Sequence, residues 1–192
     1  MGVNVPKKKE KTFEETAEET KKTIDQVLDS KDNLTEEEKK KYRDVLYQTC
    51  VEYKPLQDAF GLSQDLMEMM YAQAYQCYSN GQYEKANHIF RTLIFLNKFE
   101  TKYYLGLAAT YHSMKEFENA IYIYISWALL DIYNPLPFYH AADCSLKMDN
   151  KIGAFLFLNQ VIRRCLDKKE YEQLKHRAAT MRDSIKKEIN EE

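Results

Sequence analysis

At 192 residues the chain has the length of one domain with room for a tail. Its 44% apolar content can form a core, while only five glycines and four prolines argue against a loop-rich all-β fold, so the expectation is all-α. A formal charge of −2 gives no reason to propose nucleic acid, since phosphate binding needs a concentrated basic surface. The main basic run, Lys7-Lys8-Lys9, adjoins acidic residues and reads as a solvated terminus. No apolar stretch at the start resembles a signal peptide, and the longest apolar run, Ile121 to Leu130, is about half a membrane span. Cys50, Cys77, Cys144 and Cys165 show no CxxC pairing. The expectation is a soluble cytosolic protein with free thiols.

Residues 1–33 carry alternating charges and almost no aromatics, which predicts a disordered N-terminal extension or a loosely docked helix capped by Thr12 with Glu15. A better helix starts at Thr35, with Glu38 completing a capping box. Its stripe of Tyr42, Val45, Leu46, Thr49 and Tyr53 is ended by Pro55. Residues 34–60 therefore read as a helical cap or a dimer contact.

Residues 61–166 read as three tandem helix–turn–helix copies. In the middle copy, Tyr104, Leu107, Ala108 and Tyr111 share one helical face, and Ala120, Tyr124 and Trp127 follow at spacings of four and three. This order of small and aromatic residues is the tetratricopeptide signature, and its period is 34 residues. The first helices repeat Ala74, Ala108 and Ala142, and the second helices repeat Ala86, Ala120 and Ala154. These six are the expected packing positions, where a small side chain lets two helices approach. Tyr83 and Phe117 are expected in the turns, and Phe90, Tyr124 and Leu158 recur in the second helices. Lys151 stands where the third turn should carry an aromatic, so the third hairpin is expected to be the loosest. Tyr171, Leu174, Ala178, Met181 and Ile185 then describe one amphipathic helix, and 167–192 read as the cap that a terminal repeat requires.

In such a solenoid the first helices line a concave groove. The side chains left over from packing are Tyr71, Tyr75 and Tyr78, then Leu105, Ala109 and His112, then Tyr139, Asp143 and Leu146. An aromatic, apolar trough suits an extended peptide with proline and leucine side chains, since rings pack on pyrrolidine and hydroxyls reach the backbone.

The runs Tyr103-Tyr104-Leu105-Gly106-Leu107-Ala108-Ala109, Ala120-Ile121 and Pro137-Phe138-Tyr139-His140-Ala141-Ala142-Asp143-Cys144, with Leu66 through Tyr83, resemble the class II chaperones of bacterial type III secretion, the SycD/LcrH group. The resemblance covers about Leu56 to Asn190. It implies a non-enzymatic bacterial cytoplasmic chaperone for hydrophobic, pore-forming translocators. A Pro-x-Leu-x-x-Pro segment of the translocator would lie in the groove, with Tyr71, Tyr75, Tyr78 and Tyr83 forming its pockets beside Leu105, Ala109 and His112. Pairing through the helix before the repeats makes a homodimer a second expected partner. The alternative is a tetratricopeptide scaffold serving another partner peptide.

An enzyme is the rival from another class, because His140 and Cys144 lie four apart on one helix. No further ligand shares a useful spacing, and no phosphate-cradling loop or nucleophile elbow is present. Neither a metal, nor another cofactor, nor a catalytic residue is expected.

Overall fold

The computed structural model describes residues 12–166 and 168–191; the Lys7-Lys8-Lys9 run lies outside them, as does Asp167. The described residues form ten α-helices and no strand. The chain divides into two compact units, Met1–Ser63 and Gln64–Glu192.

The first unit contains α1 (Phe13–Asp29), α2 (Glu36–Leu46) and the short α3 (Leu56–Ala59). Both long helices start in complete capping boxes. Thr12 Oγ1 accepts from the Glu15 amide at 3.2 Å while Glu15 accepts from the Thr12 amide at 2.8 Å, and Thr35 with Glu38 repeats the arrangement. Residues 13–29 are therefore helical, not disordered. The reason is a polar clasp invisible to apolar periodicity: Arg43 Nε donates to Asp25 at 2.6 Å, and the Tyr47 hydroxyl donates to the same carboxylate at 2.7 Å. The Tyr47 hydroxyl, and after it Arg43, hold the Asp25 carboxyl below its ordinary range. Among the described residues of this unit, Leu28 and Val51 are the buried apolar ones. The expected stripe to Tyr53 breaks because α2 widens into a π-helical turn over Tyr47–Val51, and Tyr53 takes a left-handed backbone with φ of 57°.

The second unit contains three hairpins: α4 (Gln64–Ser79) with α5 (Tyr83–Leu96), α6 (Thr101–Ser113) with α7 (Phe117–Leu130), and α8 (Leu136–Lys147) with α9 (Lys151–Arg164). A 3₁₀ turn at Lys169–Tyr171 leads into α10 (Glu172–Glu191). Each helix packs on the next in sequence, as a tetratricopeptide solenoid requires. Tyr83, Phe117 and Lys151 are the first residues of the second helices and not members of the turns.

The turns show a finer repeat. Gly81, Lys115 and Asp149, one period apart, all have left-handed backbones, with φ of 73°, 62° and 57°. The residue after each donates its amide back to a carbonyl five residues earlier, Gln82 to Cys77, Glu116 to Tyr111 and Asn150 to Ser145. This is the Schellman ending of a helix.

All six alanines of the 34-residue pattern are completely buried, and Phe90, Tyr124 and Leu158 fill the space between helices. Three core clusters run along the unit, the first two drawing on successive hairpins and the third on the last hairpin and α10. The third is closed by Ala142, Ala154, Leu158 and Val161 against Ala178 and Ile185 of α10. Lys151, expected to loosen this hairpin, lies 3.6 Å from Glu188 of α10 and ties the helix start to the cap.

Candidate peptide-binding groove

The first helices α4, α6 and α8 lie side by side and are joined by side chains. Lys102 of α6 donates to Glu68 of α4 at 2.6 Å, one repeat period away. Ser113 of α6 donates to the Tyr78 hydroxyl at 3.4 Å, and His112 Nε2 lies 2.9 Å from Asp143 Oδ2 of α8. Asp143 is also 3.9 Å from Lys147 Nζ. The pair Glu68–Lys102 holds the glutamate below and the lysine above their ordinary ranges, the hydrogen bond being the main cause in each.

The residues expected to line the groove divide in two. Tyr75 is the most open, at 59% exposure, and Leu105 is 38% exposed. Tyr78 is half-buried with its ring 5.7 Å from that of Tyr83, and the two form one aromatic ledge. Ala109 and His112 are half-buried on α6, and His112 meets the Phe117 ring edge-on at 5.5 Å. Tyr71 is wedged instead of free: its ring contacts Phe90 at 6.0 Å and the fully buried Tyr103 at 5.9 Å, with Lys102 Nζ 4.8 Å above it. Tyr139 contacts the C-terminal helix, with its hydroxyl 4.0 Å from Met181 sulfur and the Arg177 guanidinium 5.8 Å from its ring. The accessible surface is thus an aromatic and aliphatic patch from Tyr75, Tyr78, Tyr83 and Leu105, followed by a polar step at His112–Asp143. Lys102, Glu68 and Ser113 escaped the sequence reading, although the 34-residue offset between Glu68 and Lys102 is itself a readable signal of an inter-repeat ion pair.

His140 and Cys144 do not form a nucleophile–base pair. Cys144 is completely buried, and burial, reinforced by Asp143, pushes its thiol up to about 12, so it stays protonated. His140 is half-buried and stacked on Tyr124 at 5.1 Å, and burial holds its imidazole below the ordinary range. Among the described residues no cluster of three metal-ligating side chains occurs. No described helix is long and apolar enough to cross a membrane.

Residues 67–98 match the tetratricopeptide repeat family model. The chain is 34% identical to low calcium response locus protein H of Yersinia pestis over 127 residues, covering 65% of this chain and 74% of that protein. It is also similar to the type III secretion translocator chaperone SycD of Yersinia enterocolitica in complex with a peptide of the translocator YopD. That likeness has 30% identity and a TM-score of 0.60, covering 68% of this chain and 98% of SycD. SycD is known in an alternative dimer as well. PcrH of Pseudomonas aeruginosa, in complex with the chaperone binding region of PopD, is 31% identical with a TM-score of 0.61, covering 67% of this chain and 96% of PcrH. With its 34-residue repeats, small-residue helix contacts and these likenesses, the chain belongs to the class II chaperones of type III secretion, the LcrH/SycD family.

Proposed function

We propose that this chain is a cytoplasmic chaperone that binds hydrophobic translocator proteins through an extended segment of the Pro-x-Leu-x-x-Pro kind. The observation that carries this reading is the accessible ledge of Tyr75, Tyr78, Tyr83 and Leu105 on and beside adjacent inner helices. Each apolar anchor buried there contributes about 1.5–3 kcal/mol by area. The bound peptides of SycD and PcrH relatives support the same class of cargo. His112, Asp143 and Ala109 extend the site beyond the ledge, while Tyr71 and Tyr139 act from behind it by shaping its walls. No reaction is needed: a pore-forming chain exposes apolar segments, and a partner that binds them lowers by mass action the population free to aggregate or associate early.

Residues 34–60 would serve pairing of two copies, a role supported by the exposed Tyr42, Tyr53 and Phe60 in this segment and by the dimeric SycD relative. Calorimetric titration with Pro-x-Leu-x-x-Pro peptides tests the cargo reading. Wild type should bind, and Tyr75→Ala with Tyr78→Ala should abolish binding while helicity is kept. Binding by a peptide without proline and leucine, with none by the motif, would favour a scaffold serving another partner.

A further inference from the structure

Away from the inner helices, the linker between α7 and α8 faces the end of α9 across a cleft of about 460 Å³. Beside Gln160, its lining joins apolar and cationic side chains. Ile132, Tyr133 and Leu166 are apolar and each more than half exposed, and Arg163, Arg164 and Lys168 are cationic. None of the groove residues lines it. A second cleft shares Lys168 and adds Lys169 and Lys175 beside Glu172.

Among the described residues none of Arg163, Arg164 and Lys168 forms an ion pair, whereas Arg43, Lys102 and Lys151 each do. Arg164 Nε donates to the Ile132 carbonyl at 3.0 Å and Nη1 to Gln160 at 2.6 Å, with its guanidinium 4.1 Å from the Phe138 ring. Lys168 Nζ donates to the Tyr133 carbonyl at 2.8 Å. These bonds fix the linker and hold two charges at the cleft without cancelling them. Burial, and then the neighbouring Arg163, push the Arg164 pKa down. The two arginines also suit the negative end of α9. That role does not require three exposed apolar side chains beside them.

We infer that this cleft is a second docking surface, for an acidic protein segment that carries apolar side chains. Carboxylates would pair with Arg163 and Lys168, and an aliphatic or aromatic residue would cover Ile132, Tyr133 and Leu166. Arginine and tyrosine beside a concave apolar floor are the residue types that anchor protein partners. The surface is small and concave, unlike the run of cations along one helix or juxtamembrane stretch that holds an anionic bilayer. Because the cleft is separate from the inner helices, a chaperone with cargo in its groove keeps this surface open for another protein.

The test uses the full chain and a fluorescein-labelled peptide that alternates glutamate with leucine and phenylalanine, read by anisotropy. Wild type should bind it and release it as salt is raised. Arg163→Glu and Leu166→Ser, both at exposed positions, should each weaken binding roughly tenfold with unchanged helicity and unchanged binding of a Pro-x-Leu-x-x-Pro peptide. Equal binding of a peptide with glutamine for glutamate would overturn the inference, as would displacement by the groove peptide or indifference to both substitutions. Binding to phosphatidylglycerol vesicles without binding to the peptide would overturn it in favour of a membrane surface.

Discussion

Gly106 lies in the middle of α6, where helix propensity alone favours alanine by about 1 kcal/mol. A Cβ at this position would stand 2.3 Å from Phe90 Cε1, 2.4 Å from Cζ and 2.9 Å from Cδ1. Phe90 is 1% exposed, so its ring has no free volume to enter, and it contacts the Tyr71 ring that backs the groove. Overpacking of this kind costs about 1–3 kcal/mol. Set against the propensity gain, Gly106→Ala should destabilise the second unit by up to about 2 kcal/mol. For a chain of this size that corresponds to a fall in melting temperature of up to about 8 °C. Denaturant titrations of wild type, Gly106→Ala, Phe90→Leu and the double variant would read the effect as a cycle. Phe90→Leu alone removes buried ring volume and destabilises. In the Gly106→Ala background it should cost less, because the smaller side chain admits the new methyl. A more stable Gly106→Ala, or strict additivity in the cycle, would refute the claim that the glycine is there for close packing.

Ala86→Leu and Ala120→Leu each force a larger side chain into a site with no exposure and should cost about 1–3 kcal/mol or more; unchanged melting temperatures would contradict the packing role of these alanines. Lys115→Gly relieves a left-handed backbone that costs a lysine about 1–2 kcal/mol, less the entropy of a freer unfolded chain, so the urea midpoint should rise by up to about 1 kcal/mol equivalent. A lower midpoint would show that the lysine side chain outweighs the strain. His140 titrates below its ordinary pKa because burial disfavours the cation, with Asp143 opposing and His112 adding. The unfolded imidazole therefore takes its proton first on acidification. The stability this residue contributes is present above about pH 6.5 and is lost as pH falls below it, with a slope of at most about 1.4 kcal/mol per pH unit. Urea titrations between about pH 7.5 and 5.5 should show a shallower loss in His140→Gln than in wild type; equal slopes would assign the pH dependence elsewhere.

The repeat period was legible because volume between close helices admits only small side chains, and alanine at 74, 86, 108, 120, 142 and 154 leaves that constraint in plain letters. The left-handed position was not, since only Gly81 advertises it while Lys115 and Asp149 adopt it silently. Helix starts at Thr12 and Thr35 were readable because a capping box is local. The helix through Tyr53 was not, because a π-helical turn shifts the apolar spacing that a 3.6-residue pattern assumes. At the groove, positions on the inner helices followed from the period. Their freedom did not: Tyr71 is occupied by Tyr103 and Lys102, and Tyr139 by Arg177 and Met181, partners more than thirty residues away.

The central claim is that the ledge of Tyr75, Tyr78 and Tyr83 holds an extended translocator segment. Isothermal titration of the purified chain with Pro-x-Leu-x-x-Pro peptides, beside the Tyr75→Ala/Tyr78→Ala variant, tests it most directly. Micromolar affinity, about −8 kcal/mol, that the folded variant loses is the expected result. Undiminished binding by the variant would place the peptide elsewhere on the molecule, and binding by neither protein would contradict the proposed cargo.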